Sequence, residues 1–517
     1  MANLPKQYLG EHYYSLIRKI WESRVSEIES KALNGVDIAW LRMDSPTNLM
    51  IINAMIITES LDFLELRKTI ITRFLRFPRF RTRPLLRTGQ YYWEEDPLFD
   101  IDNHVKRVAL PGAADKRALQ QFVADQVSEP LDASRPMWQI LFVDNYQGGN
   151  AIILRVHHCY ADGLALISVF NSITDSSPNI APFATVSARA SNEPELDTPS
   201  GETNYEWPRY QRVWDAAVDR ADRYKEFAKR ISQDGLGLIR DQEAWRGLVG
   251  DGVRAAAELA QLATMPADPR KVLKGKLGVR KNCAWSEPVS FDKFHGIAKV
   301  VGCKINDLLL SCVAGAFREE LMHAGQEVDG KKIHVTLPVN MRSEEKMDMG
   351  GNPEELGNYF GTVFVPLPVG IENPLERVYK IKHDMIALKQ SLQPALSYGI
   401  LYAAGLMPRN IQKSLLESFG NKTSAVLSNV PGPRQARYIA GSRIKEQMFW
   451  VPQTGDLGLG LSIISYGGQI QFGMVGDARL FPHPERIVNR FVSQIELHRT
   501  DIVASYIEDL VQPTMAS

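Results

Sequence analysis

Two adjacent histidines open the heptapeptide His157-His158-Cys159-Tyr160-Ala161-Asp162-Gly163. Imidazole is the side chain whose ordinary titration lies near neutral pH, so an acid–base role follows if one ring faces a cleft. The apolar run 151–156 ahead of the heptapeptide reads as a strand, and the run 164–170 after it reads as a helix. A strand-to-helix junction exposes side chains at a sheet edge, where catalytic groups are commonly held. Successive strand side chains point to opposite faces, so one histidine can serve as the base while the other supports the loop or packs.

The neighbours narrow the chemistry. Asp162 could orient His158, but its place ahead of Gly163 and Leu164 suits a helix cap or a salt bridge better. Gly163 permits a tight turn or a close backbone approach. A metal held by His157, His158 and Asp162 is a poor fit, because neighbouring ligands point apart and no HExxH helix is present. No GxSxG elbow occurs, and Cys159 reads as a packed thiol. The formal GxGxxA match at Gly250–Ala255 follows no strand and lies inside a helical pattern, and no P-loop is present, so no cofactor is expected. One base without a protein nucleophile suits direct transfer: the base removes a proton from an acceptor hydroxyl as that oxygen attacks an acyl carbonyl. The resulting oxyanion then needs a donor, from backbone or amide.

The elements that must position this site alternate. Strands are expected at 49–58, 137–143 and 151–156, with a helix at 117–127 between the first two. A surface linker begins near residue 187, and 210–264 is helical in pattern and free of proline. Alternation resumes near 282. Helices are expected at 292–301, 305–323, 375–393 and 482–497, and strands at 333–339, 359–367, 423–428, 459–465 and 469–475. The fold class is α/β, with domains 1–186 and 283–517 joined by a linker and helical crossover, 187–282. At 517 residues the chain exceeds one ordinary core.

Apolar residues make up 44% and charged residues 23%, and the formal net charge is zero, so nothing points to a nucleic-acid partner. No stretch is long and apolar enough for a transmembrane helix, and the start lacks a signal-peptide core. Four scattered cysteines suit a reducing, intracellular compartment. The arginines among Phe74, Phe77 and Phe80 (Arg73, Arg76, Arg79, Arg81, Arg83 and Arg87) read as a solvated edge strand or an amphipathic anionic-lipid surface. A second basic run, Arg270, Lys271, Lys274, Lys276, Arg280 and Lys281, reads as solvated, with contact to phosphate or membrane as the alternative.

Taken together, the motifs resemble the bacterial bifunctional wax ester synthase/diacylglycerol acyltransferase family. Pro130 to Trp138 looks like its PLDxxRPLW, with Met137 for leucine, and His157 to Gly163 is its HHxxxDG. Asn306-Asp307 resembles its ND motif. Leu337 to Arg342 with Gly357 to Gly361 is similar to its central strand and turn, and Ser428 to Pro433 to its SNVPGP segment. The resemblance implies two chloramphenicol acetyltransferase-like α/β sandwich domains with an active-site channel between them. It implies a long-chain acyl-CoA co-substrate, a fatty alcohol or diacylglycerol as acceptor, His158 as general base, His157 in support and Asp162 holding the loop. Asn306 becomes the candidate for positioning substrate or for the oxyanion, with a helix cap the competing role for Asn306-Asp307. Pro130, Leu131, Asp132, Arg135, Pro136 and Trp138 are expected to shape the fold and the acyl channel. The same resemblance implies a cytoplasmic enzyme attached peripherally to the inner membrane or to lipid inclusions. The absence of DFGWG argues against the plant alcohol acyltransferases of similar fold. Two rivals stay open: a condensation-type acyltransferase using a carrier-protein thioester, and a non-catalytic lipid-droplet or membrane-binding protein.

Overall fold

Long β-branched and aliphatic runs bounded by turns build two mixed sheets. The computed structural model describes residues 31–179, 257–268, 272–342 and 356–511. The expected crossover therefore lies largely outside the described residues, as do Gly250–Ala255, Arg270 and Lys271.

The N-terminal half supplies β1 (Ile51–Thr58), β2 (Val105–Val108), β3 (Trp138–Tyr146) and β4 (Gly149–His157). Helix α1 (Gly35–Met43) precedes them and α2 (Gly163–Ile173) follows. The second half contributes α3 (Ile305–His323), β5 (Ile333–Asn340), β6 (Phe360–Leu367), α4 (Gln393–Leu406), β7 (Ala425–Pro431), β8 (Ser442–Trp450), β9 (Leu459–Tyr466), β10 (Gln469–Asp477) and α5 (Pro484–Val511).

Strand β8 leaves the second half and pairs antiparallel with β1, so the first sheet runs β2-β3-β4-β1-β8 before two short edge strands. The C-terminal segment drawn at 283–517 thus completes the N-terminal sheet. The second sheet runs β10-β9-β7-β5-β6, parallel where β9, β7 and β5 meet and antiparallel elsewhere. A shared cluster welds the halves: Met55 and Ile153 from the first sheet pack with Trp450 of β8 and with Trp285 and Val475 beside the second. Burying such side chains contributes roughly 1.5–3 kcal/mol each.

Helix α1 is capped by Asn34, whose side chain accepts from Asp37 N (2.8 Å). It crosses α4 with almost no space between backbones. A Cβ on Gly35 would strike the Tyr402 carbonyl oxygen, and one on Gly405 would strike that of Gly35. Arg42 then closes the end of α4 by donating to the carbonyls of Gly405 (3.1 Å) and Met407 (3.0 Å). This contact holds Asp37 and Trp40 of α1 in fixed register with the second half.

Three expectations change. The helix expected to run through 393 stops at Lys389, and Pro394 sits in the first turn of the next helix. The arginine-rich stretch is neither one solvated edge strand nor a lipid-facing surface. Phe74, Phe77 and Phe80 are fully buried in two 3-10 turns, and only Thr82–Arg87 is an edge strand. Arg73 pairs with Asp175 (3.0 Å), Arg79 with Asp37 (3.4 Å) and Arg81 with Glu95 (3.7 Å). The second basic run divides: Lys276 and Arg280 are exposed, whereas Lys274 donates to Asn421 O (2.7 Å) and Lys281 pairs with Asp477 (3.0 Å).

Candidate active site

Strand β4 ends at His157, and the chain turns through Cys159 and Tyr160 before α2 begins at Gly163. The two histidines face different surroundings. His157 is 2% exposed and lies off the cavity; its Nδ1 accepts from Cys159 N (3.2 Å). Its proton therefore sits on Nε2, 3.9 Å from Asp44. Burial pushes its pKa down to about 3, and the neighbouring His158 adds to the shift.

His158 lines the cavity. Its ring stacks on Trp40 (centroids 4.0 Å apart, planes 9° apart), and its Nδ1 lies 2.9 Å from Asn358 Oδ1. Asn358 can point only one way. Its Nδ2 donates to Asp37 Oδ1 (2.9 Å) and to the His158 carbonyl (2.8 Å), and a backbone carbonyl can never donate in return. Asn358 Oδ1 must therefore accept, and the proton of neutral His158 resides on Nδ1. Nε2 is left as the lone-pair nitrogen, the tautomer opposite to that of His157. Burial lowers the His158 pKa to about 4, against the opposing pull of the Asp162 charge and the Asn358 hydrogen bond. Asp37 anchors the chain of contacts from the other end. Burial raises its pKa to about 6 although Arg79 lies alongside, and Arg79 is itself held by the Leu356 carbonyl (3.0 Å) and the Trp93 face (4.2 Å).

A base with a lowered pKa keeps its lone pair in acid. The acid limb of kcat/KM is expected at about pH 4, in the range of the His158 value, with the base still competent at pH 5.5 to 6.5. An inflection at 6.5 in a kcat/KM–pH profile would show an ordinary, solvated imidazole instead.

Asp162 ties this loop to the second half. Its side chain caps α2 at Ala165 N (3.0 Å), accepts from Tyr359 N (2.9 Å) and pairs with Arg342 (2.7 Å). Arg342 also donates to Gly357 O (2.9 Å), so the two residues flanking Asn358 are both fixed to the histidine loop. Among the described residues Asp162 makes no hydrogen bond to His158; its contacts tie the loop to Tyr359 and Arg342. A Cβ on Gly163 would meet nothing within 4 Å, so among the described residues no close backbone approach or positive φ requires glycine there. The residue opens onto the cavity.

The cavity, about 580 Å³, runs between the halves, with β1, β4, α2 and β8 on one side and β5, β6, α4, β7 and β9 on the other. Its wall is mostly aliphatic and aromatic, as suits a long acyl chain. Asn306 reaches it from the first turn of α3 and accepts on Oδ1 from Asn429 Nδ2, leaving its own Nδ2 without a partner among the described residues. Asp307 stays off the cavity and accepts from Lys304 N (3.0 Å), closing the first turn of α3.

The PLDxxRPLW segment is also off the cavity, so Pro130, Leu131, Asp132, Arg135, Pro136 and Trp138 do not line the channel. Asp132 accepts from Ser134 N (2.9 Å) and pairs with Arg135 (3.4 Å) in an exposed turn. Trp138 is buried among Phe74, Phe80 and His104 and donates to Phe80 O (2.7 Å). The motif braces the domain beneath the heptapeptide. Cys159 is sealed off the cavity, and burial pushes its thiol well above the ordinary range, which disqualifies it as a nucleophile.

Asp37, Trp40, Arg342 and Asn358 had no assigned role in the sequence, and Arg79 was read only as one of the solvated or lipid-facing arginines. Asn358 and Arg342 fall inside motifs already singled out; nothing local marks Asp37 or Trp40.

Several known proteins are similar to this chain in fold or in sequence. A starter condensation domain of rhizomide synthetase, solved as a variant with C8-CoA, superposes with TM-score 0.53 at 13% identity, covering 93% of this chain and 97% of that one. The wax ester synthase/diacylglycerol acyltransferase of Marinobacter aquaeolei VT8 superposes with TM-score 0.62 at 21% identity, covering 91% and 99%. Both likenesses show the fold: paired α/β units of the chloramphenicol acetyltransferase-like kind. A putative diacylglycerol O-acyltransferase of Mycobacterium tuberculosis is 27% identical over 471 residues, 87% of this chain and 92% of its own. A second, described as probable, is 25% identical over 428 residues, 81% of this chain and 86% of its own. Residues 33–309 match the wax ester synthase/diacylglycerol acyltransferase catalytic domain and residues 356–498 the WS/DGAT C-terminal domain. With the catalytic-domain match covering more than half of its length, the chain belongs to the wax ester synthase/diacylglycerol acyltransferase family of acyltransferases.

Proposed function

We propose that the protein transfers a long-chain acyl group from acyl-CoA to the hydroxyl of a fatty alcohol or of diacylglycerol, with His158 as general base. The observation that carries this reading is a neutral imidazole on the wall of an apolar cavity, with Nδ1 engaged by Asn358 and Nε2 left as acceptor. Nε2 takes the acceptor's hydroxyl proton as the oxygen bonds to the thioester carbonyl carbon. The tetrahedral oxyanion receives a hydrogen bond from Asn306 Nδ2. Collapse breaks the C–S bond, and the departing thiolate takes the proton back from Nε2, which restores neutral His158 and releases ester and free CoA. Among the described residues no carboxylate is hydrogen-bonded to the His158 ring, so the negative charge on the substrate is the imidazolium's nearest counter-ion, with the Asp162 charge acting without a hydrogen bond. That favours rapid return of the proton.

Acylglycerol chemistry is supported by the names of the mycobacterial relatives. No single described helix is long and apolar enough to cross a membrane. Helix α4 and the helix Arg409–Gly420 expose Tyr402, Leu406 and Ile411 while lining the cavity with Leu401 and Leu416. Exposed apolar side chains on the helices that also line the cavity suit peripheral attachment to a membrane or lipid inclusion, from which water-insoluble acceptors would enter.

The test is thiol release from palmitoyl-CoA with hexadecanol and diacylglycerol offered together. One ester is expected per thiol released. Lipid binding without any acceptor-dependent thiol release would leave the non-catalytic reading in its place.

A further inference from the structure

Beside the cavity lies a second cleft of about 380 Å³, lined by Arg434, Arg443 and Lys445 with Glu59 as its one acidic residue. The two share walls. Pro433 and Ile470 line the cavity, while their chain neighbours Arg434 and Gln469 line the cleft. On β8, Met448 and Gln447 face the cavity, and Ile444 and Lys445 the cleft.

We propose that this cleft binds the 3′-phosphorylated adenosine diphosphate head of acyl-CoA, an assignment that rests on the proposed acyl-CoA donor. The side chains of the three cations are exposed, and none of these side chains forms an ion pair or hydrogen bond to the described residues. Three cations against one carboxylate leave the cleft with a net positive charge, and a polyanion relieves the repulsion among them. The backbone is shaped for the same end. Register slips between Ile444 and Glu446 where β8 pairs with β1, so Lys445 is the extra residue of a bulge, which bends the strand and re-aims the side chain. Arg434 lies over the Phe291 ring (5.4 Å), and Phe291 itself lines the cavity. A ligand leaving the cavity past Phe291 thus changes from an apolar to a cationic environment within one side chain. Acyl-CoA changes in the same order, from acyl chain through a neutral pantetheine arm to phosphates.

The test uses the full chain and two readouts. By calorimetry, CoA without an acyl group is expected to bind the wild type, and Arg443→Ala with Lys445→Ala weakens it roughly tenfold at low salt. In steady state, the wild-type preference for palmitoyl-CoA over palmitoyl-pantetheine, which lacks the nucleotide, falls by a similar factor, mainly through KM. Ester formation with the same preference and the same CoA affinity in the double variant would overturn the cleft assignment and leave the acyl-transfer reading standing. CoA binding that depends on both residues, without transfer from either thioester, would uphold the cleft and overturn the transfer reading.

Discussion

Replacing His158 with alanine lowers kcat for ester formation from palmitoyl-CoA by about 10²- to 10⁴-fold, the range that a positioned general base contributes. The loss follows from what surrounds the ring. Among the described residues His157 is sealed off the cavity in the wrong tautomer and Cys159 is a packed thiol, so no neighbouring side chain replaces Nε2. Alanine also removes the Trp40 stack and the donor to Asn358 Oδ1. A loss of stability of about 1–3 kcal/mol accompanies the change, as for a buried acceptor left unpaired. Turnover and thermal unfolding are therefore measured on the same preparation. A folded variant turning over near the wild-type rate would remove His158 from the chemistry.

Asn358→Leu is expected to cost about 10- to 100-fold in kcat, comparable to losing the partner that orients a working imidazole. Leucine fills the space but leaves three groups short of a partner: His158 Nδ1, the His158 carbonyl and the buried Asp37 carboxyl. Neutral His158 is then free to place its proton on Nε2, the tautomer that cannot accept from the substrate hydroxyl. Asn358 positions rather than reacts, so a second variant separates tautomer control from general damage. In Asn358→Asp a carboxylate faces His158 Nδ1 and favours the charged ring, which moves the acid limb of kcat/KM upward from its wild-type position near the lowered His158 value. Sharing of one proton with Asp37 moderates the shift but leaves its direction. An unmoved limb in the aspartate variant would show that Asn358 does not govern the base.

Local pattern carried much of the frame. Strands β1 and β4 are runs of buried aliphatic residues, and Asp162 before Gly163 marked the start of α2, so the junction holding His158 was legible. Alternation of strand faces led to the expectation of different surroundings for the two histidines, although β4 stops at His157 and the turn after it sets His158 apart. What escaped depends on contacts between distant segments. Asp37 looks like an ordinary acidic residue in the first turn of a capped helix until Asn358, 321 positions away, donates to it. Strand β8 mixes charged and apolar residues, and only its docking against β1 shows that it belongs to the other half. The PLDxxRPLW segment was misplaced toward the channel because a motif's residue types do not say which side of a sheet it packs against; Trp138 fills an aromatic cluster instead. The arginine stretch misled for a related reason, since its partners Asp175, Asp37 and Glu95 are brought in by folding.

The central claim is that His158 acts as a base in direct transfer, with no acyl group ever carried on the protein. The most direct test mixes enzyme with palmitoyl-CoA in the absence of any alcohol, follows thiol release through the first turnover and weighs the intact chain. No thiol burst and an unchanged mass are expected. One equivalent of thiol released with one palmitoyl group added to the chain would contradict the account.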